Sequence, residues 1–475
     1  MEYQSAKKVI PLLKEIVGVE NVLTETADLL CYSKDHTWPY PPQEQVKRLP
    51  DVVVVPHDTE EVSEVVRLAN KERIPVTPMG GLTGFSGGAV PIYGGIAIDM
   101  KGMDKMLEID AENMCATCEA GITIEKFINN VRKAGFYFPH EVASRPSSTI
   151  GGTISTNGVG GKALMYGKAE DLVLGLEIVL ADGEILGVGA GGSMKIKYSS
   201  SGYNLKRLFI GSFGTLGIIT KATLRIFEPP EATVDDAYAF SDLKDAIKTT
   251  KDFYKANLPL SYFALLHESY LKKWRQFFSA IPVAPAIINF GTEGISDLVN
   301  AVHQRASKIC LKNGGEKIPS EEAKLLWTHD TDVWAALAGS GKPIPYKSGL
   351  WGHEDGAIPP TEIENCLLGY LKLVEKYDVE NWGCAIFRLN PPTLALLYRV
   401  DERDLQKVEK YRQFAEELAT LVIKAGGTMT FSCGVGLRLS KLMKLEHGYG
   451  LDIMKKIKRA LDPNNIMNPG KMDLD

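Results

Sequence analysis

Two stretches of this chain lack side-chain bulk and carry small polar groups in a pattern that suits a phosphate chain. One is Gly80-Gly81-Leu82-Thr83-Gly84-Phe85-Ser86-Gly87-Gly88; the other is SSTIGGTISTNGVGG, residues 147–161, with five glycines and no Lys or Arg before Lys162. Exposed backbone N–H groups and small hydroxyls let an anion approach closely. Two such loops about seventy residues apart predict one extended ligand gripped from two sides, such as a dinucleotide. A second group could move protons. His329, Tyr346, Lys347, His353 and Glu354 fall within 325–355 and form the densest set of acid/base side chains in the second half of the chain. Histidine suits that work at neutral pH.

Two motifs match by letter and fail on context, and a third is absent. Gly187 to Gly192 reads GxGxxG, but SMKIKYSSSGY follows, which opens no helix, so the dinucleotide fingerprint is not met. Neither glycine loop has P-loop spacing. Cys115 and Cys118 form a CxxC inside MCATCEAGI, which reads as a strand rather than the helix start a reactive thiolate needs.

The elements that must position these groups follow from periodicity and punctuation. DVVVVP (51–56) reads as a buried strand, and DTEEVSEVVRLANKERI as a helix that its Asp can cap. IPVTP is the next strand, and the first glycine loop follows at once. GGIAIDM, KMLEID and CATCEAG read as strands, and TIEKFINNVRKAG as a helix ending at Gly135. Asp182-Gly183 signals a hairpin between strands. EPPEAT (228–233) breaks the chain, alternating strands and helices fill the next stretch, and a helix at Leu451–Leu461 precedes NPGK (468–471). These signals divide the chain into a helical lead-in at 1–48 that ends in the Pro-rich WPYPPQ, a first domain at 49–228, a second at 229–425, and a C-terminal segment at 426–475. The fold class is α+β.

Composition narrows the function. The 475 residues carry 54 Lys plus Arg against 59 Asp plus Glu, with no basic stripe, so nucleic acid is not an expected partner. No apolar run approaches a membrane span, and MEYQSAKKVIPLLKEIVG lacks a signal-peptide core, so the expected location is cytoplasmic. Seven scattered cysteines predict reduced thiols and no iron–sulfur cluster of the chain's own.

In series, Gly80–Gly88, CEAGIT (118–123), SSTIGGTISTNGVGG, EDLVLGLEIVLADG (170–183), GYNLKRLFIGSFGTLGIIT (202–220) and DPNNIMNPGK (462–471) resemble the FAD-linked oxidases of the vanillyl-alcohol oxidase superfamily. The closest group is the glycolate oxidase FAD subunit with the D-lactate and D-2-hydroxyglutarate dehydrogenases. The match is dense over 49–228, returns at 426–472 and is weak between. It implies a PCMH-type FAD-binding domain of two α+β subdomains and an α+β cap with a central antiparallel sheet. It also assigns roles. Pro78, Gly80, Gly81, Leu82, Thr83, Gly84, Ser86, Gly87, Ser148, Thr149, Gly151 and Gly152 would hold the FAD pyrophosphate side. Thr156, Asn157, Gly160 and Gly161 would pack near the isoalloxazine, Gly214, Ile218 and Ile219 near the adenine end or flavin edge, and Lys471 would return from the tail.

Departures from that family lie mainly in the cap. Phe213 stands where Glu is usual. Hydroxy-acid members hold a divalent metal with a GHxGDGNxH-like strand and a GEHGxG turn. Here those regions read Trp382 to Asn390 and Phe431-Ser432-Cys433-Gly434-Val435-Gly436, so no metal is expected at the family positions. Cys433 to Arg438 is similar instead to a GxGxxR turn of phenol-oxidising members, which makes Arg438 a candidate anion anchor, with Arg388 a second. The expected function is an FAD-dependent dehydrogenase that passes hydride from a small hydroxy acid or alcohol to flavin N5, with a base such as His329, His353 or Glu354. Electrons would leave to a redox partner protein (an electron-transfer flavoprotein or an iron–sulfur subunit) or a quinone, and a homo-oligomer is compatible. The alternatives are a phenolic or benzylic alcohol oxidase, ether-lipid-synthase-like chemistry echoed by Pro139-His140-Glu141, and an electron-transfer subunit with a degenerate pocket.

Overall fold

The computed structural model describes residues 3–37, 48–275, 281–323, 326, 350–401 and 403–475. WPYPPQ, His329, Tyr346 and Lys347 lie outside the described residues. Among the described residues the strands form three sheets, and the fold is α+β as the sequence indicates.

The first sheet joins β1 (Val22–Leu23), β2 (Val52–Val54), β3 (Val76–Met79) and β4 (Ile96–Asp99) in the order β1-β2-β4-β3. β2, β4 and β3 run parallel, and β2 and β4 are buried at every residue, as a sheet covered on both faces requires. The helix Thr59–Glu72 connects β2 to β3. Asp58 caps it by accepting from Glu61 N, and its Val62, Val65, Val66 and Ala69 turn one apolar stripe into the core.

The second sheet, β5 (Met106–Asp110), β6 (Cys115–Glu119), β7 (Val173–Val179), β8 (Ile185–Val188) and β9 (Ile218–Arg225), is antiparallel in the order β5-β6-β9-β7-β8. Gly183 turns the β7–β8 hairpin at φ 83°, and Cys115 and Cys118 are buried residues of β6. Helices Ile124–Lys133 and Ile150–Ser155 close the core beneath this sheet.

The chain then passes through Glu228-Pro229-Pro230 to the cap. β10 (Ala232–Phe240), β11 (Tyr262–His267), β12 (Ala286–Gly294), β13 (Glu316–Lys317), β14 (Leu350–Ala357), β15 (Asn381–Phe387) and β16 (Thr393–Val400) form one antiparallel sheet in the order β13-β10-β12-β11-β15-β16-β14. Helices Leu243–Ala256, Ser296–Lys312, Ile363–Tyr377 and Leu405–Lys424 pack on it around the largest apolar cluster. β14 is an edge strand, and the segment after the last of these helices docks on its open side, with Thr428 N donating to Ala357 O at 2.9 Å. No helix among the described residues is long and apolar enough to cross a membrane.

The tail runs back to the first sheet. Ile466 O accepts from Val76 N and Asn468 N donates to Val76 O, both at 2.8 Å. Lys458, only 2% exposed, anchors this return by donating to Thr215 O, Met467 O and the Asp462 carboxylate, which itself accepts from Ile466 N and Met467 N. Removing one partner of such a buried pair strands the other charge. Asp462→Asn should therefore lose about 3–5 kcal/mol of stability, read as a lower urea midpoint; an unchanged midpoint would show that the tail is held by other contacts.

Candidate functional site

The two glycine loops touch backbone to backbone. A Cβ at residue 81 would lie 1.8 Å from Ser147 O, and one at residue 80 would lie 2.3 Å from Thr149 Oγ1, so only glycine lets the loops meet. Thr83 Oγ1 and Ser148 Oγ close the contact at 3.0 Å, and Ser148 Oγ reaches Ser144 Oγ at 2.5 Å. The loops then differ. In the second, Ile150 N and Gly151 N donate to Ile122 O and Ala120 O, and Gly152 N donates to Thr149 Oγ1. In the first, among the described residues, no N–H from Gly80 to Gly88 donates to a protein acceptor. Ser86 Oγ is likewise buried without a partner among the described residues. A row of such donors fits a pyrophosphate. Amides not bonded to protein acceptors among the described residues are thus concentrated in the first loop, while the second presents a close-packed wall with the hydroxyls of Ser148 and Thr149.

Several residues here hold positive φ without being glycine: Leu82 (55°), Asn157 (52°) and Phe213 (56°). Each such residue costs of order 1–3 kcal/mol and persists where surroundings over-determine it. Phe213 shows how. Its ring fills the space above Gly88 and Gly434, where a Cβ would come within 2.4 Å of it, while Asn468 Nδ2 donates to both Phe213 O and Gly88 O. The ring of Phe213 thereby ties the first loop to the tail. Gly214, at φ 71°, packs on Pro78, and Gly87, at φ 77°, on Leu437. Thr156 Oγ1 donates to Gly152 O and Asn157 Oδ1 accepts from Glu170 N.

The side chains of Ile218 and Ile219, expected near the cofactor, are buried in apolar cores. Successive residues of β9 face opposite sides, so Ile218 enters the core of the first sheet and Ile219 that of the second. Lys471 does return to the first loop: it is 1% exposed, donates to Val90 O at 2.8 Å, and burial pulls its pKa down to about 7, with Asp35 opposing. Asp35 belongs to a stretch the sequence reading passed over. Tyr32 donates to Asp99 at 2.7 Å, while Asp35 accepts from Thr37 N and Ala89 N, so residues 32–37 brace the first loop.

Between the second glycine loop and the cap lies a cavity of about 170 Å³, lined among others by Glu141, Gly161, His353, Asp355, Arg388 and Ser432. Strand alternation sorts β14: His353 and Asp355 face the cavity and Glu354 does not. Glu354 accepts from Tyr398 at 2.7 Å and from Arg438 Nη1 at 2.5 Å. Glu354 is therefore corrected from candidate base to partner of Arg438. Arg438 Nη1 also donates to His353 O, which leaves Nε and Nη2 buried without a partner among the described residues. Arg388, at φ 64°, lines the cavity with its guanidinium 5.5 Å from the Phe431 ring. Lys168, not singled out from sequence, lies 4.5 Å from the same ring and donates to Phe431 O.

The turn that carries Phe431 is held by Asp355. Its Oδ2 accepts from Phe431 N, Ser432 N and Ser432 Oγ, and its Oδ1 from Thr430 Oγ1. Burial opposes this charge, but His353 and the bonds from Ser432 and Thr430 outweigh it and hold the carboxyl below the usual range. Burial pushes His353 below its ordinary pKa, against the pull of Asp355, and pushes the Cys433 thiol well up. His353 Nδ1 lies 3.2 Å from Cys433 Sγ, and its ring 6.3 Å from that of Phe85 in the first loop. The metal implied by the resemblance lacks its donors: Cys384 lies fully buried in the cap core, and the turn offers Ser432 and Cys433. The structure instead gathers His353, Asp355 and Cys433, whose ligand-type atoms all lie within 4.8 Å of one another. An H-x-D pair on one strand face was the available signal.

This architecture, a two-lobed domain with joined glycine loops beneath an antiparallel cap, is that of a flavoprotein oxidoreductase. Among solved structures it is similar to 4-ethylphenol oxidase from Gulosibacter chungangensis, with TM-score 0.81 at 18% identity over 98% of this chain and 96% of that one. It is also similar to alkyldihydroxyacetonephosphate synthase, with TM-score 0.72 at 19% identity over 99% and 86%. The FAD binding domain model matches residues 50–189 and that of the FAD linked oxidases, C-terminal domain, residues 230–472. The chain belongs to the FAD-linked oxidases, and FAD is its cofactor. Relatives include the glycolate oxidase subunit GlcD of Bacillus subtilis, 32% identical over 98% of this chain and 97% of that protein. The D-lactate dehydrogenase of Archaeoglobus fulgidus is 32% identical over 89% and 91%, and the D-2-hydroxyglutarate dehydrogenase of Xanthomonas citri 29% over 97% and 96%.

Two outcomes follow from the loops. Gly81→Ala should yield protein without bound flavin, measured as flavin absorbance per chain; full FAD content would refute the backbone contact. His140, 2% exposed with both ring nitrogens unpartnered among the described residues, is pushed down to about 4 by burial. The unfolded chain takes up this proton near pH 6.5 and the folded chain only near 4, so the unfolded state binds more protons between them. Stability should therefore fall as pH drops through that window, by about 3 kcal/mol at most. His140→Phe should flatten the dependence of the urea midpoint on pH between 4 and 6.5.

Proposed function

We propose that the chain is a 2-hydroxy-acid dehydrogenase whose substrate occupies the cavity between the cap and the second glycine loop. The observation that carries this is a small cavity lined by both a guanidinium, Arg388, and an imidazole–carboxylate wall, half-buried His353 and buried Asp355. Its 170 Å³ falls below the roughly 300–1,000 Å³ of drug-sized sites and suits a small acid. Arg388 binds the substrate carboxylate in a planar, charge-assisted contact. The positive φ of Arg388 and the Phe431 ring beside it hold the guanidinium at that wall. The hydroxyl faces His353 and Asp355, where it loses its proton. FAD, when bound, supplies the acceptor for the hydride, and an external redox partner protein or quinone takes the electrons onward. Relatives acting on glycolate, D-lactate and D-2-hydroxyglutarate support this reading.

The unpartnered edge of Arg438 is the observation that favours a phenolic substrate instead. Anaerobic mixing separates the two. Glycolate, D-lactate or D-2-hydroxyglutarate should bleach the flavin and 4-alkylphenols should not; bleaching by phenols alone would reverse the assignment, and bleaching by neither would leave an electron-transfer subunit. Arg388→Met should retain FAD and raise KM for the hydroxy acid about 100-fold, the equivalent of roughly 3 kcal/mol.

A further inference from the structure

We propose that Lys168 is a positioning residue that acts through the Phe431 ring to hold Arg388 where the substrate carboxylate binds. The inference rests on the hydroxy-acid reading for its ligand, but its contacts belong to the chain alone. Lys168 comes from the flavin domain, Arg388 from the end of a cap strand, and Phe431 from the tail turn. Lys168 Nζ donates to Phe431 O at 2.7 Å and stands 4.5 Å from the centroid of its ring. The Arg388 guanidinium stands 5.5 Å from the same centroid. Two cations repel each other, but one aromatic ring attracts both. Among the described residues Arg388 lines the cavity and Lys168 does not, so the lysine reaches a bound acid through its neighbours rather than by contact.

Each member of this series is fixed at its main chain. Phe431 N donates to Asp355 Oδ2 at 3.3 Å, so cap and flavin domain grip the two sides of one residue. Arg388 N donates to Phe263 O at 2.8 Å, which ties it to the cap sheet. Lys168 N donates to Asp171 Oδ2 at 3.0 Å. The next two amides return to the second glycine loop: Ala169 N donates to Gly158 O at 3.0 Å and Glu170 N to Asn157 Oδ1 at 3.2 Å. The end of that loop and the guanidinium at the cavity wall are thus kept in register by one ring.

The electrostatics agree with a task at this contact. Burial pulls the pKa of Lys168 down; Glu170 and Asp355 oppose that, and Arg388 adds to it. An ammonium group kept half-buried beside a second cation is stabilised by its bond to Phe431 O and by the ring. With Lys168 gone, Phe431 keeps its bond to Asp355, but its ring is free to turn from Arg388 and the guanidinium loses the face it stacks on.

The test uses the holoflavoprotein with Lys168→Met, Phe431→Leu and the double variant. The Kd of pyruvate, a carboxylate that cannot reduce the flavin, is measured by calorimetry beside KM and kcat for D-lactate. Lys168→Met should keep FAD, raise the Kd about 10-fold and raise KM by more than kcat falls. Lys168→Arg, which keeps a cation at the ring, should recover most of that loss. In the Phe431→Leu background the same lysine change should add at most about 2-fold, because the ring that transmits it is gone. Failure of the wild type to bind pyruvate, an equal loss with and without the ring, no loss in Lys168→Met, or loss of FAD from it each overturns the proposal. Flavin reduction by no hydroxy acid, with the pyruvate cycle as expected, removes the dehydrogenase reading and leaves this one.

Discussion

A single carbonyl oxygen, that of Ser147, occupies the place where residue 81 would carry a side chain. Because the two glycine loops meet there through backbone alone, neither can be moved without the other. Their contact also divides labour. The second loop is hydrogen-bonded into the sheet and helix beneath it, so it is rigid; the first keeps its amides for a ligand. A cradle whose donors sit on one side and whose stiffness comes from the other needs no cationic side chain in either loop. The nearby buried cation, Lys471, stands behind the first loop at Val90 rather than within it.

The cap obeys a different constraint. Asp355 binds the tail turn with four hydrogen bonds, so the edge of the cap sheet and the C-terminal segment behave as one wall. On the other face of the same strand, Glu354 performs the equivalent service for Arg438. Adjacent acidic residues thus fix two parts of one turn from opposite sides of a strand. That arrangement holds the turn against the cavity from two sides.

The cofactor was legible because loop glycines are demanded by backbone contact, which leaves a dense local signature in sequence. The helix from Thr59, the hairpin at Gly183 and the tail helix were legible for similar reasons of period and punctuation. The substrate side was not. Whether His353, Glu354 or Asp355 meets the cavity depends on knowing that LWGHEDGA is a strand, since alternation then decides the faces. Charged residues with no flanking turn signals gave no such indication. Arg438 and Glu354 lie 84 positions apart, and a pairing over that distance has no local trace. The brace at residues 32–37 was missed because its polar groups read as an ordinary loop until Ala89 and Asp99 are seen against them.

The tail has a bearing on how the protein comes into being. Lys471 reaches Val90 across 381 positions, and Asn468 reaches Gly88 across 380. Contacts of such sequence separation cannot form until the tail itself has been made. On a ribosome the first loop therefore waits, amides exposed, until almost the whole chain has emerged. A chain ended before residue 468 lacks the asparagine and the lysine that brace the first loop. The last residues to be made are thus the ones that fasten one of the first segments to fold.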